Sequence, residues 1–172
     1  FDTVTFTTAL KTIYVKPNPC PDPSKDGTGI MDNLLYTNII SNDPVTWPIW
    51  VSTQQQKQPG SGTDTGCSFL YPLPGTTCPT QPCVPVTRLT LRNVTMHGGA
   101  ISPGLMRCDP RNPCKDFIFD NVKIQSDGFP WGSDSYLCQA IDNFQFTGDS
   151  YPSKCIYSWP NATTTTPPTN TL

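Results

Sequence analysis

Leu89-Thr90-Leu91-Arg92-Asn93-Val94 and Phe117-Ile118-Phe119-Asp120-Asn121-Val122 lie 28 positions apart and follow one pattern: alternating apolar residues, a charged step, an Asn, then an apolar residue again. Alternation puts every second side chain on the same face of a β-strand. The pattern recurs at Leu35-Tyr36-Thr37-Asn38-Ile39. Weaker copies are Val4-Thr5-Phe6-Thr7-Thr8 and Phe144-Gln145-Phe146-Thr147-Gly148. Aligned on the last apolar residue before the polar step, the copies fall at Phe6, Tyr36, Leu91, Phe119 and Phe146. Their separations are 30, 55, 28 and 27 residues, one of them about twice the others. A recurring period of this size marks a solenoid, in which each coil buries its apolar face only by stacking on its neighbours. A repeat made of strands alone points to a parallel β-helix. Asn38, Asn93 and Asn121 would sit at equivalent bends and bond to one another along the stack. The alternative is an antiparallel sandwich, with turn signals about every 8–12 residues; the longer period favours the solenoid.

Composition agrees with an all-β chain. Of 172 residues, 20 are Pro and 12 Gly, charged residues make up 14 %, and glutamate is absent. Thr, Val, Ile, Phe and Tyr dominate, and these β-branched and aromatic side chains suit a pleated surface better than a helix. The length fits one domain, expected over 1–159, followed by a tail over 160–172. The net charge of −2 comes with no basic stripe, which argues against nucleic acid as a partner. No stretch approaches the roughly 20 apolar residues of a membrane helix. The sequence opens on Phe1 with no Met and no basic-then-apolar leader, the pattern of a processed or truncated chain.

Eight cysteines stand at Cys20, Cys67, Cys78, Cys83, Cys108, Cys114, Cys138 and Cys155, mostly in turn-rich surroundings. An even number in such settings reads as disulfides. Zinc would need CxxC pairs or histidine partners, and the chain holds a single His. No metal or cofactor is expected. Disulfides persist in oxidising compartments, and the sequons Asn93-Val94-Thr95 and Asn161-Ala162-Thr163 are N-glycosylation acceptors of secreted proteins. The expected location is therefore extracellular.

The repeat lapses over 52–83 into a Gln-rich, Gly/Ser/Thr-rich and then Pro/Cys-rich segment, which reads as a coil carrying a long disulfide-pinned excursion. The tail runs Pro160-Asn161-Ala162-Thr163-Thr164-Thr165-Thr166-Pro167-Pro168-Thr169. Such Thr/Pro composition is extended and polyproline-like, with Thr163, Thr164, Thr165, Thr166 and Thr169 as O-glycosylation candidates.

Over 86–124 the chain offers Arg92-Asn93-Val94-Thr95, Gly104-Leu105-Met106-Arg107-Cys108, Asn112-Pro113-Cys114 and a strand through Val122. This arrangement resembles the C-terminal part of polygalacturonase-type pectinases, glycoside hydrolase family 28, and the resemblance spans most of positions 4–148. It implies a right-handed parallel β-helix and a Cys108–Cys114 pair. Ile13-Tyr14-Val15-Lys16 is similar to the family's Arg-Ile-Lys segment, whose cations hold the substrate carboxylate. Lys16 matches the Lys, and Tyr14 replaces the Arg, leaving a remnant of that subsite. After Pro48-Ile49-Trp50-Val51 the family's substrate-contacting Tyr is missing. The family's Asn-x-Asp, Asp-Asp and Gly-His-Gly motifs are absent, so this chain lacks the acid and base that inverting glycoside hydrolysis requires. His97-Gly98-Gly99 is out of place for that role.

Other chemistry is weakly signalled. Asp116 and Asp120 could share a strand face, though solvated turn carboxylates explain them equally well. Trp47, Trp50, Trp131, Trp159, Tyr71 and Tyr151 could stack on sugars or fill a core. Three functions follow: a non-catalytic structural subunit of an extracellular assembly, associating head to tail through open coil ends; the C-terminal piece of a pectinase-like hydrolase; or a polysaccharide-binding module. The assembly reading accounts for both an open first coil and the Thr/Pro tail, and covalent glycans would coat the assembly.

Overall fold

The computed structural model describes residues 1–17, 20, 24, 28–51, 80–129 and 132–156. Ten strands and no helix occur among them. They are β1 (Asp2–Phe6), β2 (Ile13–Val15), β3 (Met31–Asn42), β4 (Ile49–Val51), β5 (Val86–His97), β6 (Gly104–Arg107), β7 (Cys114–Gln125), β8 (Tyr136–Gln139), β9 (Ile141–Thr147) and β10 (Cys155–Ile156). The odd-numbered strands form one sheet in the order β1-β3-β5-β7-β9, and the even-numbered strands form a second in the order β10-β8-β6-β4-β2. Every named strand pairing is parallel. The chain therefore alternates between two sheets and adds one strand to each in turn.

The 12-residue strands β3, β5 and β7 each contain two residues in the left-handed conformation. The pairing register sets Thr3, Asn38, Asn93, Asn121 and Gly148 in one line across the first sheet, with φ between 53° and 60°. A second line holds Asn33, Arg88, Asp116 and Asn143. Each such residue interrupts the alternation: in β5 Arg92 and Asn93 are both exposed, and burial resumes at Val94. Asn suits the position because its short polar side chain tolerates this backbone and bonds locally.

Inward side chains stack in columns. Leu34, Leu89, Phe117 and Phe144 form one, and Val4, Ile39, Val94 and Val122 another. The column of Tyr36, Leu91, Phe119 and Phe146 also includes Phe1, which stacks on Tyr36 at 5.0 Å. This corrects the alignment on Phe6. Phe6 pairs with Ser41 and joins the Met96–Ile124 column, because Val4-Thr5-Phe6 follows the left-handed Thr3, whereas Tyr36, Leu91 and Phe119 each precede their left-handed Asn. In the second sheet Gly104 lies between Ile49 and Tyr136. A Cβ there would stand 3.0 Å from Ile49 and 3.1 Å from the Tyr136 ring, so the close approach of successive strands requires glycine.

Cys108 pairs with Cys114, as the resemblance implied, and Cys20 with Cys83 and Cys138 with Cys155. These three cross-links fit an oxidising, extracellular setting. Cys67, Cys78, the bulk of the 52–83 excursion, the 160–172 tail with Asn161, Thr163, Thr164, Thr165, Thr166 and Thr169, and Tyr71, Trp131 and Trp159 lie outside the described residues.

The Cys108–Cys114 loop is organised by Asp109, which is buried. Its carboxylate accepts Arg111 Nε at 2.9 Å, Arg111 Nη2 at 2.7 Å, the Arg111 backbone N–H at 2.8 Å and Thr80 Oγ1 at 2.8 Å. The Arg111 guanidinium, ahead of the other bonds, holds this carboxyl down from its ordinary 3.8 to about 2. A depressed folded-state pKa adds stability that is complete above the unfolded value and is lost as pH falls through about 2. Asp109→Asn is therefore expected to cost about 1–2 kcal/mol at pH 7, with the difference from wild type shrinking between pH 4 and pH 2. Urea unfolding at pH 7 and pH 2.5 checks this; a gap of equal size at both would refute it.

Candidate functional site

The line of left-handed residues creases the first sheet, and a trough follows the crease. Its volume is about 510 Å³, and it is lined by Thr3 and Thr5 of β1, Asn38 and Ile40 of β3, Asn93 and Thr95 of β5, Asn121 and Lys123 of β7, and Asp149 just beyond β9. Two parallel columns build it. The first is Thr3, Asn38, Asn93 and Asn121, and the second is Thr5, Ile40, Thr95 and Lys123. One residue of each sequence repeat thus supplies an amide or hydroxyl, and the residue two further on supplies the opposite flank.

Hydrogen bonds hold the amide column in place. Asn38 Nδ2 donates to Asp2 Oδ1 at 2.9 Å, and Asn93 Nδ2 donates to Asn38 Oδ1 at 3.2 Å. The expected Asn ladder therefore forms between Asn38 and Asn93. It turns aside at Asn121, whose Oδ1 accepts the Asp149 backbone N–H at 2.9 Å. Gly148 occupies the next place in the line, where a Cβ would collide with the Asn121 carboxamide. Lys123 and Asp149 pair at that end of the trough. The trough is thus rich in hydroxyls and primary amides, carries one aliphatic contact in the half-exposed Ile40, and its one ammonium group is engaged by a carboxylate.

Lys16 and Tyr14 belong to a different surface, at the β2 edge of the second sheet. Tyr14 is in register with Trp50 of β4, and Lys11 Nζ sits 5.2 Å from the centroid of each ring, a cation–π arrangement. Burial, and then the neighbouring Lys16 charge, push Lys11 down from 10.5 to about 8. Burial also lowers Lys16 and raises Tyr14. Sequence reasoning missed Lys11, which precedes β2 and belongs to no motif. Only the Tyr14–Trp50 register brings it between two rings.

Several other residues have structural work. Trp47 and Trp50 are fully buried, meet edge to face at 5.8 Å and pack with Ile101, Leu105 and Leu137, so they are core and present no sugar platform. Tyr151 is exposed. His97, at the end of β5, bonds Gln125 through Nδ1 at 3.0 Å. Asp116 accepts Asn143 Nδ2 at 2.6 Å, and Asp120 accepts Arg92 Nε at 3.2 Å and Thr147 Oγ1 at 3.0 Å. Each carboxylate is committed to bonds that tie neighbouring strands. Among the described residues no group of three His, Cys, Asp or Glu side chains could hold a metal ion. Asn93, the one sequon asparagine within the described residues, is exposed on the trough floor.

Compared with known protein families, curated proteins and solved structures, the chain matches none.

Proposed function

We propose that the two sheets are walls of a right-handed parallel β-helix, and that the protein is a secreted, non-catalytic module that binds a neutral polysaccharide along the amide trough. The observation that carries this reading is the alignment of Asn38, Asn93 and Asn121 on successive strands, flanked by Ile40, Thr95 and Lys123. Strands repeat about every 4.8 Å, close to the length of one pyranose unit in an extended chain, so consecutive sugars can meet equivalent amides. A volume of about 510 Å³ lies within the range of roughly 300–1,000 Å³ usual for ligand sites. Hydroxyls and amides match sugar hydroxyls, and Ile40 offers an apolar contact to a ring face. A polyuronate would need cations, and the trough's Lys123 is already paired with Asp149. Cations gather instead at the Lys11–Lys16 corner, the place where the resemblance to pectinases would put a carboxylate.

Calorimetric titration with cellohexaose and with an oligogalacturonate of equal length tests the reading. Binding of the neutral oligomer, weakened at least tenfold by Ile40→Glu, is expected. Preference for the uronate, lost in Lys16→Met, would move the site to the corner and refute the trough.

Head-to-tail association of copies is a second reading, favoured by the two outer edges of the first sheet. Phe144 and Phe146 of β9 are only partly buried, and Phe1, stacked on Tyr36 beside β1, is 79 % exposed, so apolar side chains of these columns reach the surface at both outer strands of the described sheet. A copy set with its β1 against β9 would extend each column and pair both edges. Sedimentation at about 0.1 mM decides: mass growing with concentration supports it, and a monomer throughout removes it.

A further inference from the structure

The sequon lies inside the trough. Asn93 stands on the third of the five strands, between Asn38 on β3 and Asn121 on β7. Val94 is fully buried, so Asn93 and Thr95, the two residues a glycosylating enzyme reads, both face outward and both line the trough. The carboxamide nitrogen that would carry a glycan is the atom donating to Asn38 Oδ1 at 3.2 Å.

We propose that N-glycosylation of Asn93 and occupation of the trough by polysaccharide are mutually exclusive, so that the glycan state of this one residue switches the module between binding and non-binding forms. This rests on the polysaccharide reading of the trough. In the modification, the bond from Nδ2 to the anomeric carbon of a diphosphate-activated oligosaccharide forms, the bond from that carbon to the diphosphate breaks, and Nδ2 gives up one proton. The remaining N–H is enough to keep the bond to Asn38, so the modified chain retains its fold. A single sugar at the central strand splits the trough into two short halves and removes the continuous run of amides on which an extended ligand depends.

The test compares the full chain from an N-glycosylating host with the same chain from the periplasm of a non-glycosylating bacterium, both carrying Asn161→Gln and alanine in place of Thr163, Thr164, Thr165, Thr166 and Thr169, so that Asn93 is the glycosylation site that differs. Intact mass and peptide mapping report occupancy, endoglycosidase treatment leaves one N-acetylglucosamine, and calorimetry with cellohexaose reports binding. The expected result is an occupied Asn93 and at least a tenfold weaker affinity for the glycosylated form, with the single remaining sugar sufficient for the loss. An unmodified Asn93 from the glycosylating host, or equal affinity of the two forms, would overturn the switch and leave the trough standing. No binding by the glycan-free form would overturn the trough reading and the switch together.

Discussion

Phe119→Ala is expected to lower the unfolding free energy by about 3–5 kcal/mol, the usual cost of emptying a large aromatic site in a packed core. Phe119 is fully buried in the middle of the Tyr36–Leu91–Phe119–Phe146 column. Its ring meets Phe144 at 4.8 Å, Tyr136 at 5.4 Å and Phe146 at 5.8 Å, all close to edge on. Tyr136 belongs to the second sheet, so this ring joins the two sheets as well as successive strands of one. Removing it costs transfer free energy, leaves a cavity, and takes away three aromatic contacts that each exceed simple area burial by about 0.5–1.5 kcal/mol. Parallel strands on either side are held by backbone bonds and cannot collapse far into the space. Equilibrium urea unfolding followed by circular dichroism gives the number, with Phe119→Leu as the milder reference. A loss below about 1 kcal/mol would show that the aromatic column is not what joins the sheets.

Removal of the Cys20–Cys83 disulfide is expected to cost about 4 kcal/mol, and to lower the melting temperature by roughly 10 °C. The cross-link closes 63 residues of chain, a span that includes β3 and β4, and so restricts the unfolded ensemble more than Cys108–Cys114, which closes only 6. Both sulfurs are in buried residues, and the carbonyl of Cys83 accepts the Gly29 N–H at 3.0 Å beside the start of β3. The double variant Cys20→Ala/Cys83→Ala leaves no buried hydroxyl in place of the sulfurs. Its thermal and urea unfolding, set against the intact protein, measure the effect. A change under about 1 kcal/mol would contradict the loop-entropy account.

Both predictions depend on features that differ in how far they can be read from the chain. The strands of the first sheet were legible because one face is buried and the other is not: Leu89, Leu91, Phe117 and Phe119 alternate with polar residues, a period-2 signal. The second sheet left almost no trace. Its strands are two to four residues long; β2 alternates over only three residues, and β4 and β6 are buried at every position, so there is too little alternation to detect. The bends were legible where Asn marks them, at Asn38, Asn93 and Asn121, and silent at Thr3, Arg88, Asp116 and Ala140, where stacking imposes a left-handed backbone on residues that do not advertise it.

The same division runs through the candidate site. The sequence alone determined that the chain is all-β, that an Asn-marked strand pattern recurs about every 27–30 residues, and that the described cysteines pair as disulfides, because periodicity and turn chemistry are local properties. Tertiary structure alone decided that Phe1 and not Phe6 joins the aromatic column, that Cys20 reaches Cys83, that Lys11 stands between Tyr14 and Trp50, and that Asn38, Asn93 and Asn121 align into one trough with Thr95 and Lys123 on its flank. Each of these follows from the register between strands, and register is chosen by packing between residues tens of positions apart, which no local pattern contains.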